Sequence, residues 1–472
     1  MDSKTNCESI KVADCEISLA KRYKIPLVQF TSGNISRQIK FLAIPASVGF
    51  FFHTMFNVVD TFFAGSISTI AIAAMSISFP VFFSIIALAA GLGTGAGALI
   101  ANKIGAGQKH AAIHIGAQSL SLGVIFSLLL TMIGIKISPA IFTALGASGE
   151  YLRLALDYTN LIFFGTIFFV IQNVFNSILS ANGDTKTFRN FLVAGFFANL
   201  ILNPLFLFGG LGIPPMGIAG IALATVVIEF FGLFYVGWRV IRQKCLSGIS
   251  LHDFIPNMRV FLKIARQAAP ASLRLLTIAI GFFVITFFVK FFGADAVAAF
   301  GISIRIEQIA ILPALGLSIA TLTLVGQNNG AGNIERAQET VKTALRYGVL
   351  VVSPIIIGAF IFAPELIGLF SDDPAVIAFG VIVLRIGTLT DLAYVINDIV
   401  LAGFQGLKKP NFVFWNSIAR ELVLPIGIFW ILINELNLGF SSIWWAIFAI
   451  NWSVALVTAF FLRRIFQIKM KN

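Results

Sequence analysis

Long apolar stretches separated by short polar ones run through almost the whole chain. A window of about 20 predominantly apolar residues is long enough to span a bilayer as a helix. Twelve such windows occur, six on each side of a polar stretch from Arg239 to Arg266: 38–63, 74–101, 115–135, 155–181, 188–208, 217–238, 267–289, 299–325, 343–364, 378–403, 411–433 and 442–462. The pattern predicts an all-α membrane protein with twelve transmembrane helices.

The two sets of windows are related by an internal repeat. Four short motifs recur 225 positions further along: Pro45-Ala46-Ser47 as Pro270-Ala271-Ser272, Thr61-Phe62-Phe63 as Thr286-Phe287-Phe288, Gly91-Leu92 as Gly316-Leu317, and Gly105-Ala106-Gly107 as Gly330-Ala331-Gly332. Tandem membrane halves of similar build are typical of alternating-access transporters, in which one half rocks against the other around a central site. We therefore expect two six-helix bundles, and transport is the first functional hypothesis.

The repeat and the polar stretch together predict the domain boundaries. These are a cytoplasmic N-terminal tail, an N-lobe, a cytoplasmic linker, a C-lobe and a C-terminal tail, at 1–35, 36–240, 241–260, 261–465 and 466–472.

Charge changes this picture by fixing an orientation. Only 11% of the 472 residues are charged and 58% are hydrophobic, against about 25% charged in soluble domains. Of the 33 Lys and Arg residues, 26 lie in the two tails and one alternating set of loops, and three lie in the opposite loops. The positive-inside rule then predicts a multi-pass inner-membrane protein with both termini in the cytoplasm. The net charge of +12 is explained by topology, and no nucleic-acid partner is expected.

Little in the sequence favours an enzyme. There are four His residues and neither a Ser/His/Asp-like arrangement nor a metal-ligand spacing. Cys7, Cys15 and Cys245 fall in polar segments, so neither a disulfide framework nor a metal-ligand cluster is expected.

One face of the first predicted helix is polar. His53, Asn57 and Asp60 stand at i, i+4 and i+7 in an otherwise apolar helix. A charged residue within a membrane helix costs at least about 2.5–3.5 kcal/mol and indicates function by default. An interfacial carboxylate or a helix-to-helix hydrogen bond is the structural alternative. Glu229, in the sixth helix, is interpreted as structural.

A second polar stripe lies in the fifth predicted helix, where Asn199 and Asn203 stand at i and i+4 before Pro204. Amide, carboxylate and hydroxyl oxygens suit a hard cation such as Na⁺, whereas a lone carboxylate can instead take up a proton. The residues alone leave both ions open, and helix packing is a third interpretation.

The C-lobe carries a different set of charges. Asp60 corresponds to Ile285 in the repeat, so this carboxylate is not duplicated. Asp391, Tyr394 and Asp398 share a face of the tenth helix, which also contains Arg385. Other predicted spans carry Arg274, Arg305, Glu307, Arg420 and Glu421. Buried charges of opposite sign normally pair, so we expect a charge network lining a substrate cavity, or serving structure alone. Asp391 and Asp398 should each approach a basic or amide group from another C-lobe helix.

Several motifs, in order and in register with the spans, resemble the multidrug and toxic compound extrusion (MATE) transporters of bacteria. They are Val59-Asp60-Thr61 before Gly65, the Gly-Ala-Gly end of the second helix with its repeat in Gly326-Gln327-Asn328-Asn329-Gly330-Ala331-Gly332, Gly183-Asp184-Thr185-Lys186, Asn199-Leu200-Ile201-Leu202-Asn203-Pro204, and Gly217-Ile218-Ala219-Gly220 before Ala224-Thr225. The resemblance covers residues 36 to 460.

The resemblance implies a monomeric antiporter that exports amphipathic, often cationic, small molecules across the bilayer in exchange for Na⁺ or H⁺, with no other cofactor. It maps the family's N-lobe cation site, a possible Na⁺ site, onto Asp60, Asn199, Asn203 and Thr225. Some members have Asp where this chain has Asn203, and others place acids in the seventh and tenth helices. The seventh helix here offers Arg274 and no acid, so N-lobe coupling is the preferred interpretation.

Two other functions remain open at this stage. A flippase for lipid-linked saccharides or other amphipathic lipids would need a basic cavity, and Arg274, Arg305, Arg385 and Arg420 could supply one. A channel or a non-transporting receptor is the alternative from another class.

Overall fold

The computed structural model describes residues 30–67, 69–210 and 212–471. The N-terminal six spanning helices are α1 (Ile35–Gly65), α2 (Thr69–Gly105), α3 (Lys109–Ala144), α4 (Gly149–Ala181), α5 (Lys186–Phe208) and α6 (Ile218–Arg242). The second six are α7 (Met258–Val289), α8 in two segments (Ala294–Ala310 and Leu312–Gly330), α9 (Ile334–Ile361), α10 (Pro374–Gly406), α11 (Pro410–Glu435) and α12 (Ser441–Lys471). The described residues form no β-strand beyond one isolated bridge. The predicted all-α fold with twelve spans in two bundles is confirmed.

The eighth predicted span is broken rather than continuous. Its two segments meet at Ile311 with a bend of 46°, and Pro313 stands in the first turn of the second segment. Proline has no N–H to donate to the carbonyl four residues earlier, and its ring crowds that carbonyl. The equivalent position in the first repeat is Leu88, and α2 passes through it without a break.

Helix α11 is also irregular, because it widens into a π-helix at Ala419–Val423. Pro425 follows directly and cannot donate a hydrogen bond to the carbonyl of Glu421. Single π turns inside α-helices occur frequently at functional sites. This one carries Arg420 and Glu421, both of which are buried.

The two lobes meet through glycines that the repeat places in equivalent positions. A Cβ on Gly91 of α2 would lie 1.9 Å from Ser272 Oγ of α7, and a Cβ on Gly316 of α8 would lie 2.1 Å from Ser47 Oγ of α1. The two contacts are equivalent in the repeat, because Gly91 corresponds to Gly316 and Ser47 corresponds to Ser272. The lobe interface is therefore pseudo-twofold, like the self-complementary interface of a symmetric dimer.

The same relation holds where α2 and α8 end. A Cβ on Gly105 would lie 1.8 Å from the carbonyl oxygen of Gln327, and one on Gly330 would lie 1.9 Å from that of Asn102. Only glycine allows the backbones to approach this closely, so the lobes are closed against one another at this end of the molecule.

Two buried amides tie this closed end together, and we call Asn102 and Gln327 the amide latch. Asn102 Nδ2 donates to the carbonyl oxygen of Gly406 at 2.8 Å, and Gln327 Nε2 donates to that of Ala181 at 2.9 Å. These two hydrogen bonds are also equivalent in the repeat, since Asn102 corresponds to Gln327 and Ala181 to Gly406. Each bond joins one lobe to the other.

Each lobe also receives the beginning of the other lobe's first helix. Ile39 and Leu42 of α1 pack in a cluster with Leu317 of α8 and Val395 of α10. The repeat equivalent of Ile39, Ile264 of α7, packs in a cluster with residues of α2, α4 and α6. This exchange makes the core continuous across the lobe boundary.

The segment between the lobes is fixed to the N-lobe. A short 3-10 helix, Leu251–Phe254, lies on α3, where buried Gln118 donates from Nε2 to the carbonyls of Asp253 and Ile255 at 2.6 and 2.8 Å. Its Oε1 accepts from the backbone N–H of Asn257 at 2.9 Å. Helix α7 begins inside the predicted linker, and α12 continues through the predicted C-terminal tail. Residues 1–29 of the predicted N-terminal tail, with Cys7 and Cys15, lie outside the described residues.

Candidate functional site

The N-lobe contains a buried cluster around the carboxylate of Asp60, which is 3% exposed. Asn199 Nδ2 and Asn203 Nδ2 of α5 each donate to Asp60 Oδ1 at 2.8 Å. Thr225 Oγ1 of α6 lies 3.4 Å from Asp60 Oδ2. All four residues are buried, and they come from three helices. We call them the Asp60 cluster.

Helical spacing explains why α5 can supply two donors to one oxygen. Residues four apart lie one turn above each other on the same face, and Asn203 Nδ2 also lies 3.1 Å from Asn199 Oδ1. The remaining amide oxygen, Asn203 Oδ1, is buried and has no hydrogen-bond partner among the described residues. The cluster therefore holds an oxygen that is free to accept from a ligand.

The other polar residues of α1 do not join this cluster. Asn57 Nδ2 donates to the carbonyl of His53 in its own helix at 2.9 Å, and both side chains are half-buried. His53, Asn57 and Asp60 do have the predicted helical spacing. Of these three described residues, Asp60 alone forms side-chain hydrogen bonds with α5 and α6. His53 and Asn57 remain candidates for the substrate cavity.

Two residues near the cluster were missed or undervalued by sequence reasoning. Tyr158 of α4 is 2% exposed and interacts electrostatically with Asp60. The only feature of the sequence that could have pointed to Tyr158 is the presence of a tyrosine in an apolar helix. Glu229 of α6 lies one turn beyond Thr225, and its Oε2 is buried without a partner among the described residues. The sequence shows the spacing from Thr225 to Glu229, but not that this oxygen is unpartnered.

In the C-lobe, Asp398 has the partner that was expected for it. Its carboxylate forms a salt bridge with the guanidinium of Arg274 across α10 and α7. Arg420 forms a salt bridge with Glu421 beside it in α11, and its guanidinium lies 4.5 Å from the ring centroid of Tyr394. Arg420, Glu421 and Tyr394 thus form part of the predicted charge network.

The expectation for Asp391 was wrong. Asp391 is 3% exposed, and its Oδ2 has no hydrogen-bond partner among the described residues. Its nearest charged neighbour is an acid, Glu307 of α8, whose Oε1 is likewise buried without a partner. Glu307 reaches this position because Gly387 on α10 has no side chain: a Cβ there would lie 1.8 Å from Glu307 Oε1. Sequence spacing could not show this contact, since it depends on the rotation of α8 against α10.

The remaining candidate cations lie apart from this network. Arg305 is exposed on α8. Arg385 is exposed on α10, where its Nε lies 3.4 Å from the carbonyl of Phe360 and its guanidinium lies over the Phe360 ring. The C-lobe therefore does not bring its four helical arginines together into one basic cavity.

Two membrane-spanning bundles around a pseudo-twofold interface, with a polar cluster buried inside one of them, define a membrane transporter. The sequence model of the MatE family matches residues 45–205 and 270–431, one match in each repeat. The chain therefore belongs to the multidrug and toxic compound extrusion (MATE) family, as the motifs predicted.

Known relatives agree with this assignment. The chain is 30% identical to the "FAD transporter" of Shewanella oneidensis over 73% of this chain and 76% of the relative. It is 28% identical to the "Probable multidrug resistance protein NorM" of Thermotoga maritima over 87% of this chain and 88% of the relative. A solved structure described as the outward-facing conformation of a multidrug resistance MATE family transporter matches with a TM-score of 0.89 at 28% identity, covering 95% of this chain and 99% of the other.

Proposed function

We propose that this transporter exports small amphipathic compounds, cationic drugs among them, in exchange for Na⁺ or H⁺ taken up at the Asp60 cluster. The single observation that carries the proposal is the convergence of α1, α5 and α6 on one buried carboxylate. An ionisable group inside a membrane helix is costly and indicates function by default. The names of relatives as multidrug resistance and export proteins support the substrate class.

The donor set of the cluster fits either coupling ion. A sodium ion would be held by Asp60, by the amide oxygens of Asn199 and Asn203, and by the hydroxyl of Thr225, all hard oxygen ligands. Asn203 Oδ1 is already without a partner, so it needs no bond to be broken first. A proton would instead reside on Asp60 itself.

Coupling requires that the ion site and the substrate path are exposed to each side in turn. The glycine contacts and the amide latch close the lobes at the end where α2 and α8 finish. The positive-inside rule assigns that end to the cytoplasm, so the proposed state is outward-facing with both termini cytoplasmic. The similarity to a structure described as outward-facing supports this assignment.

A second substrate class is favoured by one observation in the C-lobe. Arg420 is 3% exposed and pairs with Glu421 through Nη2, but its Nε and Nη1 have no partner among the described residues. Its guanidinium faces the ring of Tyr394. A cation beside an aromatic ring suits an aromatic anion, and one relative is named as an FAD transporter. An anionic flavin nucleotide is therefore the second candidate substrate.

The purified protein in liposomes tests the coupling directly. Ethidium as a cationic aromatic probe, and FAD as the anionic one, would each be loaded and their flux followed under an imposed Na⁺ or proton gradient. A tenfold ion gradient contributes about 1.4 kcal/mol, so one-for-one electroneutral exchange for Na⁺ or H⁺ should concentrate the monocation ethidium up to about tenfold. Flux that ignores both gradients for both substrates would contradict the proposal.

A further inference from the structure

A large cavity lies at one end of the N-lobe, away from the Asp60 cluster. It has a volume of about 580 Å³ and lies between the ends of α2, α4 and α6 and the beginnings of α3 and α5. It shares no residue with the Asp60 cluster or with the C-lobe charges. Neither the coupling ion nor the substrate path accounts for it. We call it the N-lobe end cavity.

The lining of the N-lobe end cavity is strongly basic. Five cationic residues line it against one acid, Asp184: Lys109, Lys186, Arg239, Arg242 and Lys244. The acid is already satisfied inside the protein, because its carboxylate accepts hydrogen bonds from Thr187 and Gln243 and lies 3.6 Å from Arg239 Nη2. Asp184 therefore does not offset the positive charges of Lys109 and Arg242.

Two of these cations carry no anionic partner within the described part of the chain. The ammonium of Lys109 has neither an ion-pair nor a hydrogen-bond partner there. Arg242 contacts only an aromatic ring, that of Trp238 at 5.0 Å from its centroid. Both side chains belong to exposed residues, so an external anion can reach them.

The floor of the same cavity is apolar. Ile100 and Ile104 of α2 and Ile178 of α4 are almost fully buried beneath it. The lining also includes an exposed apolar side chain, that of Phe41, which is 41% exposed. A soluble anion would have no use for this surface, whereas a phosphate that carries hydrocarbon chains could lay them along it.

The position of the cavity fits the headgroup layer of a bilayer. Trp238, on the same turn as Arg242, is 49% exposed, and tryptophans favour the membrane–water interface. Basic cavities between transmembrane helices on the cytoplasmic side bind anionic headgroups. The assignment to the cytoplasmic leaflet depends on the proposed orientation; the chemistry of the cavity does not.

We infer that the N-lobe end cavity is a binding site for one anionic phospholipid, with its phosphate between Lys109 and Arg242 and its acyl chains on the apolar rim. Such a lipid would contact the ends of α2 and α6 and the beginning of α3 at once, and so would stabilise the packing of these three helices.

Native mass spectrometry of the full-length protein in detergent tests this inference with phosphatidylglycerol as the probe and phosphatidylcholine as its neutral counterpart. One phosphatidylglycerol should remain bound where phosphatidylcholine does not. Each basic group near an anionic surface contributes about 1 kcal/mol, so Lys109→Gln with Arg242→Gln should weaken binding roughly 30-fold.

The matched control is Lys263→Gln with Arg266→Gln. It removes two exposed cations at the beginning of α7 that do not line the cavity, and it should leave the bound lipid in place. The inference is overturned if the cavity variant binds phosphatidylglycerol as tightly as this control, or if phosphatidylcholine binds equally well. Displacement by an equal concentration of glycerol 3-phosphate would overturn the lipid assignment in favour of a soluble phosphate.

Discussion

At the residue scale, Asp60 receives its described hydrogen bonds from other helices. It accepts from the amides of Asn199 and Asn203 on α5 and from the hydroxyl of Thr225 on α6. Asn57, which is on α1 with Asp60, instead donates to the carbonyl of His53. The cluster therefore exists only when α1, α5 and α6 are packed together. A change in that packing alters the Asp60 cluster without any change in its residues.

Asp184 offers a residue-scale prediction outside the membrane. Burial opposes its charge, but hydrogen bonds from Thr187 and Gln243, with the charge of Arg239, hold the pKa of Asp184 below its ordinary value. Its contribution to stability is thus present above the ordinary carboxyl pKa of about 3.9 and is lost as pH falls through the lower folded-state pKa. Asp184→Asn should lower the free energy of unfolding by about 1 kcal/mol at pH 7, allowing for partial solvent screening.

The midpoint of thermal unfolding in detergent, followed from pH 7 to pH 3, measures this effect. The difference between Asp184→Asn and the parent should shrink as pH falls below about 4, because the carboxyl group of the unfolded chain then takes up a proton while the folded carboxylate is still charged. It should vanish once pH lies below the lowered folded-state pKa of Asp184. Asp157→Asn is the control, because Asp157 is exposed and its ion pair with Arg153 spans 4.0 Å. A pH-independent difference for Asp184→Asn would show that its charge does not stabilise the fold.

These contacts also show which residues sequence could reveal. The i, i+4 spacing of Asn199 and Asn203, and the resemblance to MATE transporters, led to the groups that surround Asp60. The proximity of Glu307 to Asp391 could not be predicted, because it depends on the absence of a side chain at Gly387 and on helix rotation. Periodicity gives the face of a residue within its own helix, but not which neighbouring residue faces it.

At the element scale, α2 and α8 use glycine to bring two lobes into backbone contact. The repeat predicted that Gly91, Gly105, Gly316 and Gly330 are equivalent in pairs, but not that each of these glycines lies against the opposite lobe. The break in α8 lies beside Pro313. The equivalent residue, Leu88, leaves α2 continuous, so the two halves are unequal at this point.

This interface yields a prediction for the closed end. Gly105→Ala would place a methyl group 1.8 Å from the Gln327 carbonyl oxygen, and backbone cannot move aside as a flexible side chain can. We expect the lobes to separate there and the amide latch to open. Spin labels at residues 110 and 335, in a background without native cysteines, should report a longer and broader distance distribution than in the parent.

Gly358→Ala in α9 is the matched control. Nothing lies within 4 Å of a Cβ at Gly358, and alanine favours a helix over glycine by about 1 kcal/mol. Its distance distribution should equal that of the parent. If Gly105→Ala gives the same distribution as Gly358→Ala, the glycine contacts do not hold the lobes together.

At the scale of the whole molecule, the two lobes share a pseudo-twofold interface but differ at the position of Asp60. Both lobes share the glycine interface and the amide latch, which suits a rocking motion of one lobe against the other. The N-lobe has a carboxylate, Asp60, where the equivalent residue of the C-lobe is Ile285. The sequence predicted this asymmetry, the twelve spans and the two bundles. The sequence could not predict at which end of the molecule the lobes are closed against one another, because that depends on contacts between the lobes.

The central claim is that Asp60 couples ion movement to export. Asp60→Asn keeps the size of the side chain and one acceptor oxygen for the amides of Asn199 and Asn203, but removes its charge and its titration. Ion-driven substrate flux in liposomes would be compared for the parent, Asp60→Asn, Asn203→Ala, Asp398→Asn and the surface control Asp157→Asn, at matched amounts of protein with equal unfolding midpoints. The account predicts that Asp60→Asn lowers flux to the level of protein-free liposomes and Asn203→Ala lowers it partly, while Asp398→Asn and Asp157→Asn retain gradient-driven flux. Parent-like flux in Asp60→Asn, with loss in Asp398→Asn, would contradict the account and transfer coupling to the C-lobe.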